Sequence, residues 1–291
     1  MKAFLWLPLL MISTLNAAGQ QGSSINLTGE LKFYEYLLEK NLLNDAALQY
    51  KNIIGSENLT ESQSDSLHFL TGWNLYQTKQ LDSSVFHLMM VGKSSKQYLK
   101  SRFFSAYNKS YLHEFDSALY ILNSIEEQAN DYTALLNLER AGLALLKNDF
   151  VGFKSNAGNF DGHYYATANE EQQLKGFYER LGRQRKKSPL KAGVLSAIVP
   201  GLGKVYAGRI GEGVIGFVQV GALGLITAES YNKSGVNSGR FIVAATIFSL
   251  FYIGNIWGSY FSIRIEEKEK RNEIYNAILF NMHIPLRTVF N

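Results

Sequence analysis

Across residues 27–181 apolar side chains recur at helical spacing in runs of a few turns, separated by short polar breaks. Beyond residue 191 that alternation stops. Residues 214–228 are broken only by Gln219 and Thr227, and residues 241–263 carry no charge over 23 positions. The first pattern predicts amphipathic helices that bury one face. The second predicts two helices long enough to cross a bilayer, the shorter running from about 211 to 231, with a polar turn at 231–240. Only 4 prolines interrupt the chain. The expected fold class is all-α.

Three of the polar breaks resemble one another: NLLNDAALQYKNII (41–54), KQLDSSVFHLMMV (79–91) and HEFDSALYILNSI (113–125). Asp or Asn ahead of small residues reads as a helix N-cap, because its oxygen accepts an orphan backbone N–H. Asp82 and Asp116 lie 34 positions apart, Leu112 and Leu146 repeat that interval, and a degenerate fourth copy is expected in 132–153. In these stretches the sequence resembles the tetratricopeptide-repeat family, with Ala46, Gly72, Ser84 and Ala118 at that family's small positions and its closing proline absent. The resemblance implies TPR-like helical hairpins stacked over residues 27–182, with a concave face lined by the first helix of each pair. Phe69, Trp73, Tyr76, Phe103, Tyr107 and Tyr111 would then line a groove for a protein or peptide partner. The same aromatic stripe at helical spacing also fits plain core packing. Residues 149–171 read as a loop inserted in the last hairpin.

The basic run at 182–191 marks a boundary, and a membrane domain is expected over 188–264, leaving 265–291 as a C-terminal tail. Its entrance, IVPGLGKVYAGRIGEG (198–213), is rich in glycine but does not fit a phosphate-binding loop, since Lys204 is followed by Val205. Gly201, Gly203 and Gly208 likewise have the wrong final spacing for a dinucleotide turn. Pro200, Gly201, Gly203, Tyr206, Gly208 and Gly213 instead match a P-G-x-G-x-x-Y-x-G signature followed by a further glycine. In this the chain resembles small two-helix bacterial membrane domains of uncharacterised role. The segment 190–203 is too short to span and is expected to lie in the interface or dip in as a re-entrant turn, with Lys204, Tyr206 and Arg209 at the headgroups. Gly254, Gly258 and Ser262 form a small-residue ridge for helix packing, and Asn255 can hydrogen-bond across it. Copies of the hairpin can also join through such a ridge.

Residues 1–18 have the layout of a secretory signal peptide: Lys2, an apolar centre, then Ala17 and Ala18. With basic residues flanking both ends of the hairpin, the positive-inside rule pulls against that export signal. The signal is given precedence, because long domains translocate largely regardless of charge; the expected location is the bacterial inner membrane with the repeats in the periplasm.

A net charge of +4 with no basic stripe gives no nucleic-acid footprint. The absence of cysteine removes disulfides, thiol nucleophiles and zinc–cysteine sites. No two of the 5 histidines sit at i, i+3 or i, i+4, so no helix alone presents a metal pair, and no catalytic motif occurs. The expectation is a non-enzymatic, cofactor-free adaptor held to membrane lipid. Its runner-up is a membrane component of envelope transport or assembly, regulated by the repeats.

Overall fold

The computed structural model describes residues 27–55, 59–125, 129–183 and 187–290, which form helices and short connections with no strand among them. The expected signal peptide lies outside the described residues.

Four helical hairpins come first. They are α1 (Leu27–Glu39) with α2 (Leu43–Ile54), α3 (Glu61–Gln77) with α4 (Leu81–Met90), α5 (Tyr98–Tyr111) with α6 (Phe115–Ser124), and α7 (Thr133–Leu146) with α8 (Phe150–Ala157). One turn recurs in all four. Asn41, Lys79, His113 and Asn148 each take a positive φ, between 57° and 65°. Each donates its N–H to the carbonyl three residues back, and the next residue donates five back, as in Gln80 to Leu75 and Glu114 to Lys109. This is a Schellman turn without its usual glycine. The next residue is the apolar start of the second helix: Leu43, Leu81, Phe115 or Phe150.

The expected aspartate caps are corrected by this turn. Asn44, Asp82 and Asp116 are second residues of their helices, and the cap positions Leu42, Gln80 and Glu114 make no side-chain capping bond. The acids at 82 and 116 still face the positive end of the helix dipole. They also reach the following hairpin, Asp82 pairing with Lys109 at 3.4 Å and Asp116 with Lys147 at 2.6 Å. Asp149, by contrast, is a true cap, its Oδ1 accepting from Gly152 N at 2.9 Å. Residues 149–171 are therefore α8, a short connection and the start of α9 (Ala168–Arg183), and not one long loop. The small positions are spent on close helix contact. Ala46, Ser84 and Ala118 are buried, Ser84 Oγ donates to Gly72 O at 2.7 Å, and a Cβ on Gly72 would meet Leu88 at 2.8 Å.

The second half comprises α10 (Pro189–Ile198), α11 (Leu202–Ala207), α12 (Ile210–Ser234) and α13 (Gly239–Phe290). Both α12 and the first half of α13 are long and apolar enough to cross a membrane. They lie side by side from Tyr231 against Phe241, through Gly224 against Phe248, to Gly216 against Asn255.

The expected C-terminal tail does not exist as such. Helix α13 continues unbroken for 52 residues, about 78 Å at 1.5 Å per residue. Its charged middle is held by local pairs such as Glu266–Lys270 at 3.0 Å. Past that middle, Ile278, Leu279, Met282 and Leu286 enter the same buried cluster as Phe103, Phe104, Leu138 and Leu145 of the hairpins.

Candidate functional site

Two places gather the residues singled out from the sequence: the face formed by α3, α5 and α7, and the helical turn that precedes α12.

The first is closed by the chain itself. Phe69, Tyr76, Phe103 and Tyr107 are all buried, Trp73 is half-buried, and only Tyr111 is exposed, at 49 %. The expected open groove is thereby corrected, because the C-terminal part of α13 fills it. The Tyr76 hydroxyl hydrogen-bonds His283 Nε2, and the Tyr107 ring stacks on the same imidazole with centroids 4.9 Å apart. Phe290 sits between Phe103 and Tyr132, at 5.6 and 5.3 Å, and its carbonyl accepts from Lys100 Nζ at 3.0 Å. That ammonium also lies 4.2 Å from the Trp73 ring centre, a cation–π contact. Met282 crosses α7 at Gly142, where a Cβ would come within 2.6 Å of its side chain. Only glycine permits that approach. At the far end Asn148 Nδ2 donates to Tyr275 OH at 3.1 Å.

Under this helix lies Glu139 of α7, fully buried, with neither carboxyl oxygen finding a partner. Burial raises its pKa well above the ordinary glutamate value, so it is held as the neutral acid. Burial also lowers His283, helped by Arg287 and Lys79, and raises Tyr107. The Glu139 shift has a definite sign. The native state keeps a proton that the unfolded chain releases above about pH 4.3, so this group costs stability as pH rises from there through its native value. The buried histidine works the other way, costing stability as pH falls below about 6.5. The difference between wild type and Glu139→Gln isolates the carboxyl. Thermal unfolding of the wild type is expected to lose ground to the variant as pH rises above about 4.3, by up to about 1.4 kcal/mol per pH unit. Parallel profiles would refute the assignment.

The second place is the signature preceding α12. Helix α10 runs beside α13, with Tyr252 OH donating to Ala197 O at 2.6 Å and Ser196 Oγ meeting Ser259 Oγ at 2.6 Å. The chain reverses at Pro200–Gly201 and returns as α11. The reversal brings backbone against backbone, and that close approach explains the signature glycines. Gly201 has φ 84° and lies against the Gly213 carbonyl, which a Cβ would meet at 1.9 Å. Gly203 lies against the Ala192 carbonyl, again at 1.9 Å. Gly208 ends α11 at φ 109°, and Gly213 must clear Val205 and the Gly201 carbonyl. Tyr206 packs beside Ala192, Ala207 and Ile263. Its backbone carbonyl and that of Ala207 accept from Lys187 Nζ at 2.8 and 2.9 Å, a cation on the C-terminal end of α11.

The ridge on α13 is displaced from its expected line. A Cβ on Gly254 meets nothing within 4 Å, and one on Gly258 meets only the Lys204 stem, at 3.6 Å. The buried stripe is Asn255, Ser259, Ser262 and Ile263. Ser262 thus belongs to the contact, and the two glycines flank it. Around the start of α12, Arg209 pairs with Glu212 at 2.6 Å and Lys204 approaches the same carboxylate at 3.8 Å.

One pairing escaped the sequence. His68 on α3 and His87 on α4 bring their Nδ1 atoms to 3.2 Å, and burial lowers both pKa values. Spacing along one helix cannot find a pair formed across two. Among the described residues no three His, Cys, Asp or Glu side chains gather as a metal site.

No family model, curated protein or solved structure matches the chain.

Proposed function

We propose that the protein is a non-enzymatic, membrane-anchored adaptor. Its tetratricopeptide-like hairpins present a docking surface for a protein partner, and α12 with the first half of α13 crosses the bilayer to hold them there. One observation carries this reading: α13 is a single helix that is apolar and membrane-length at one end and part of the hairpin core at the other. The docking surface is therefore tied to the span through one continuous helix.

Because the α3–α7 face is filled, the partner is assigned to the first hairpin. Phe33 and Tyr36 on α1 stack at 6.5 Å and remain half-exposed, with Lys40 over the Tyr36 ring at 5.8 Å. Stacks of helical hairpins ordinarily end in a polar cap, and this end is aromatic. A photo-crosslinker at residue 33 of the full-length chain is expected to trap one protein in cell envelopes. The pair Phe33→Asp and Tyr36→Asp should reduce its recovery by about tenfold, as loss of an aromatic anchor does. Undiminished capture would sink the adaptor reading and favour the alternative, in which the membrane hairpin is the active part and the hairpin stack regulates it.

The proposed location is the bacterial inner membrane with the repeats in the periplasm, supported by the signal-peptide pattern. Lys187, Arg264, Lys268 and Arg271 lie at the repeat end of the hairpin and pull toward the opposite orientation. Protease added to spheroplasts is expected to cleave the repeats. Protected repeats would reverse the orientation while leaving the anchor intact.

A further inference from the structure

We propose that the recess between α11, α12 and α13 is a binding site for the anionic head of a membrane lipid, with Lys204 as its cation. The proposal rests on the placement of α12 and α13 in a bilayer.

The recess has a volume of about 360 Å³, and its polar lining is Lys204, Gln219 and Asn255. Asn255 is the informative residue. It is 7 % exposed, and neither its Nδ2 nor its Oδ1 has a hydrogen-bond partner. A buried amide left unpaired costs about 1–3 kcal/mol, and the hydrocarbon around a membrane helix offers no water to relieve it. It lies on the recess wall, with its carboxamide turned toward Gly216.

Gly254 supplies a second observation. It borders the recess, yet a Cβ there would meet nothing within 4 Å. Helix packing does not require glycine at this position. Its effect is to leave the recess wider.

The charge count supplies a third. Arg209 and Lys204 share the one carboxylate of Glu212, at 2.6 and 3.8 Å, so two cations and one anion leave a surplus of one positive charge. The closer partner is Arg209, which makes Lys204 the under-neutralised group. Its stem lies against Gly258, six residues inside Arg264 on α13, or about 9 Å below the charged rim. A cation at that depth is costly unless an anion meets it.

These groups define the ligand by its chemistry. An ammonium and two carboxamides together favour an anion rich in acceptor oxygens, a phosphate above all. The remaining walls include Val220, Leu250 and Phe251, of which Leu250 and Phe251 are exposed on the outside of the hairpin. An acyl chain can lie along them while its head reaches Lys204. Entry is from the side, out of the bilayer, which selects a lipid over a soluble phosphate.

The test uses full-length protein reconstituted in vesicles of equimolar phosphatidylglycerol and phosphatidylcholine, then released gently for native mass spectrometry. The wild type is expected to retain phosphatidylglycerol with about tenfold enrichment, equivalent to about 1.4 kcal/mol of preference. Lys204→Gln, which removes the charge, and Gly254→Leu, whose Cβ meets nothing within 4 Å and whose side chain narrows the recess, should each abolish the enrichment. Lys204→Arg should keep it. A wild type without preference, or variants that enrich as well as the wild type, would overturn the proposal. Displacement of the bound lipid by an equal concentration of inorganic phosphate would overturn the lipid assignment. Alkaline carbonate extraction separates this failure from that of the anchor reading. A chain washed off the membrane refutes the anchor, whereas a retained chain with no lipid preference refutes only the recess.

Discussion

Gly201→Ala is expected to destabilise the α10–α12 assembly by about 3 kcal/mol or more. Two costs add. A non-glycine residue at φ 84° carries about 1–2 kcal/mol of left-handed strain. The new methyl would also stand 1.9 Å from the Gly213 carbonyl oxygen and 3.1 Å from Phe217 N. Both obstacles are backbone of α12, so no side chain can swing aside, and overpacking of this kind costs a further 1–3 kcal/mol or so. The turn must then pull away from α12, opening the contact that Gly201 makes with Gly216. Gly221→Ala is the matched control, since a Cβ there meets nothing within 4 Å and alanine favours helix by about 1 kcal/mol. Thermal unfolding of the full chain in detergent compares them. Equal midpoints would mean that the turn at Pro200–Gly201 does not press on α12.

The contrast between these two glycines marks how far the sequence could be read. The signature spacing from Pro200 to Gly213 identified a turn, because φ > 0 and tight reversal are properties glycine confers locally. Which backbone each glycine touches depends on partners about ten positions away or more, as with Gly203 against Ala192 and Gly216 against Asn255. The same limit misplaced the ridge at Gly254 and Gly258. Small residues mark close approach in some places and an open recess in others, and composition does not separate the two.

In the hairpin half the periodicity was legible and its cause was not. Asp82 and Asp116 kept their interval through ion pairs to the next hairpin and not through capping. The turn that sets the period is held by Asn41, Lys79, His113 and Asn148; asparagine and histidine are enriched in the left-handed region, and lysine is not. The filled groove was the least accessible feature. Ile274, Ile278, Met282 and Leu286 do recur at helical spacing, so an amphipathic helix was there to be found. Its docking place was not, because the Tyr76–His283 contact spans 207 positions. The charged stretch before it looked like the end of a domain and is instead the exposed middle of one helix.

That helix yields the second large prediction. Met282→Asp is expected to lower the unfolding midpoint of the hairpin half by about 10–20 °C, taking about 4–5 kcal/mol at roughly 2–4 °C per kcal/mol. Met282 is fully buried, and it occupies the space that Gly142 leaves open on α7. An ionised carboxylate there would be taken out of water into an apolar cluster, against a helix that already carries the unpaired acid Glu139. Ejection of the C-terminal segment is the alternative to ionisation in place. It would uncover Phe103, Tyr107 and Leu138, all of which are buried in the native fold. Limited proteolysis distinguishes a structural helix from a displaceable one. If residues 274–290 complete the core, trypsin should cut Met282→Asp at Arg271 and throughout the hairpins at nearly the same rate. If cleavage is confined to Arg271 while the midpoint is unchanged, the hairpins stand without the segment. The groove would then be a peptide site that the chain merely occupies, and the partner would be assigned there in place of α1.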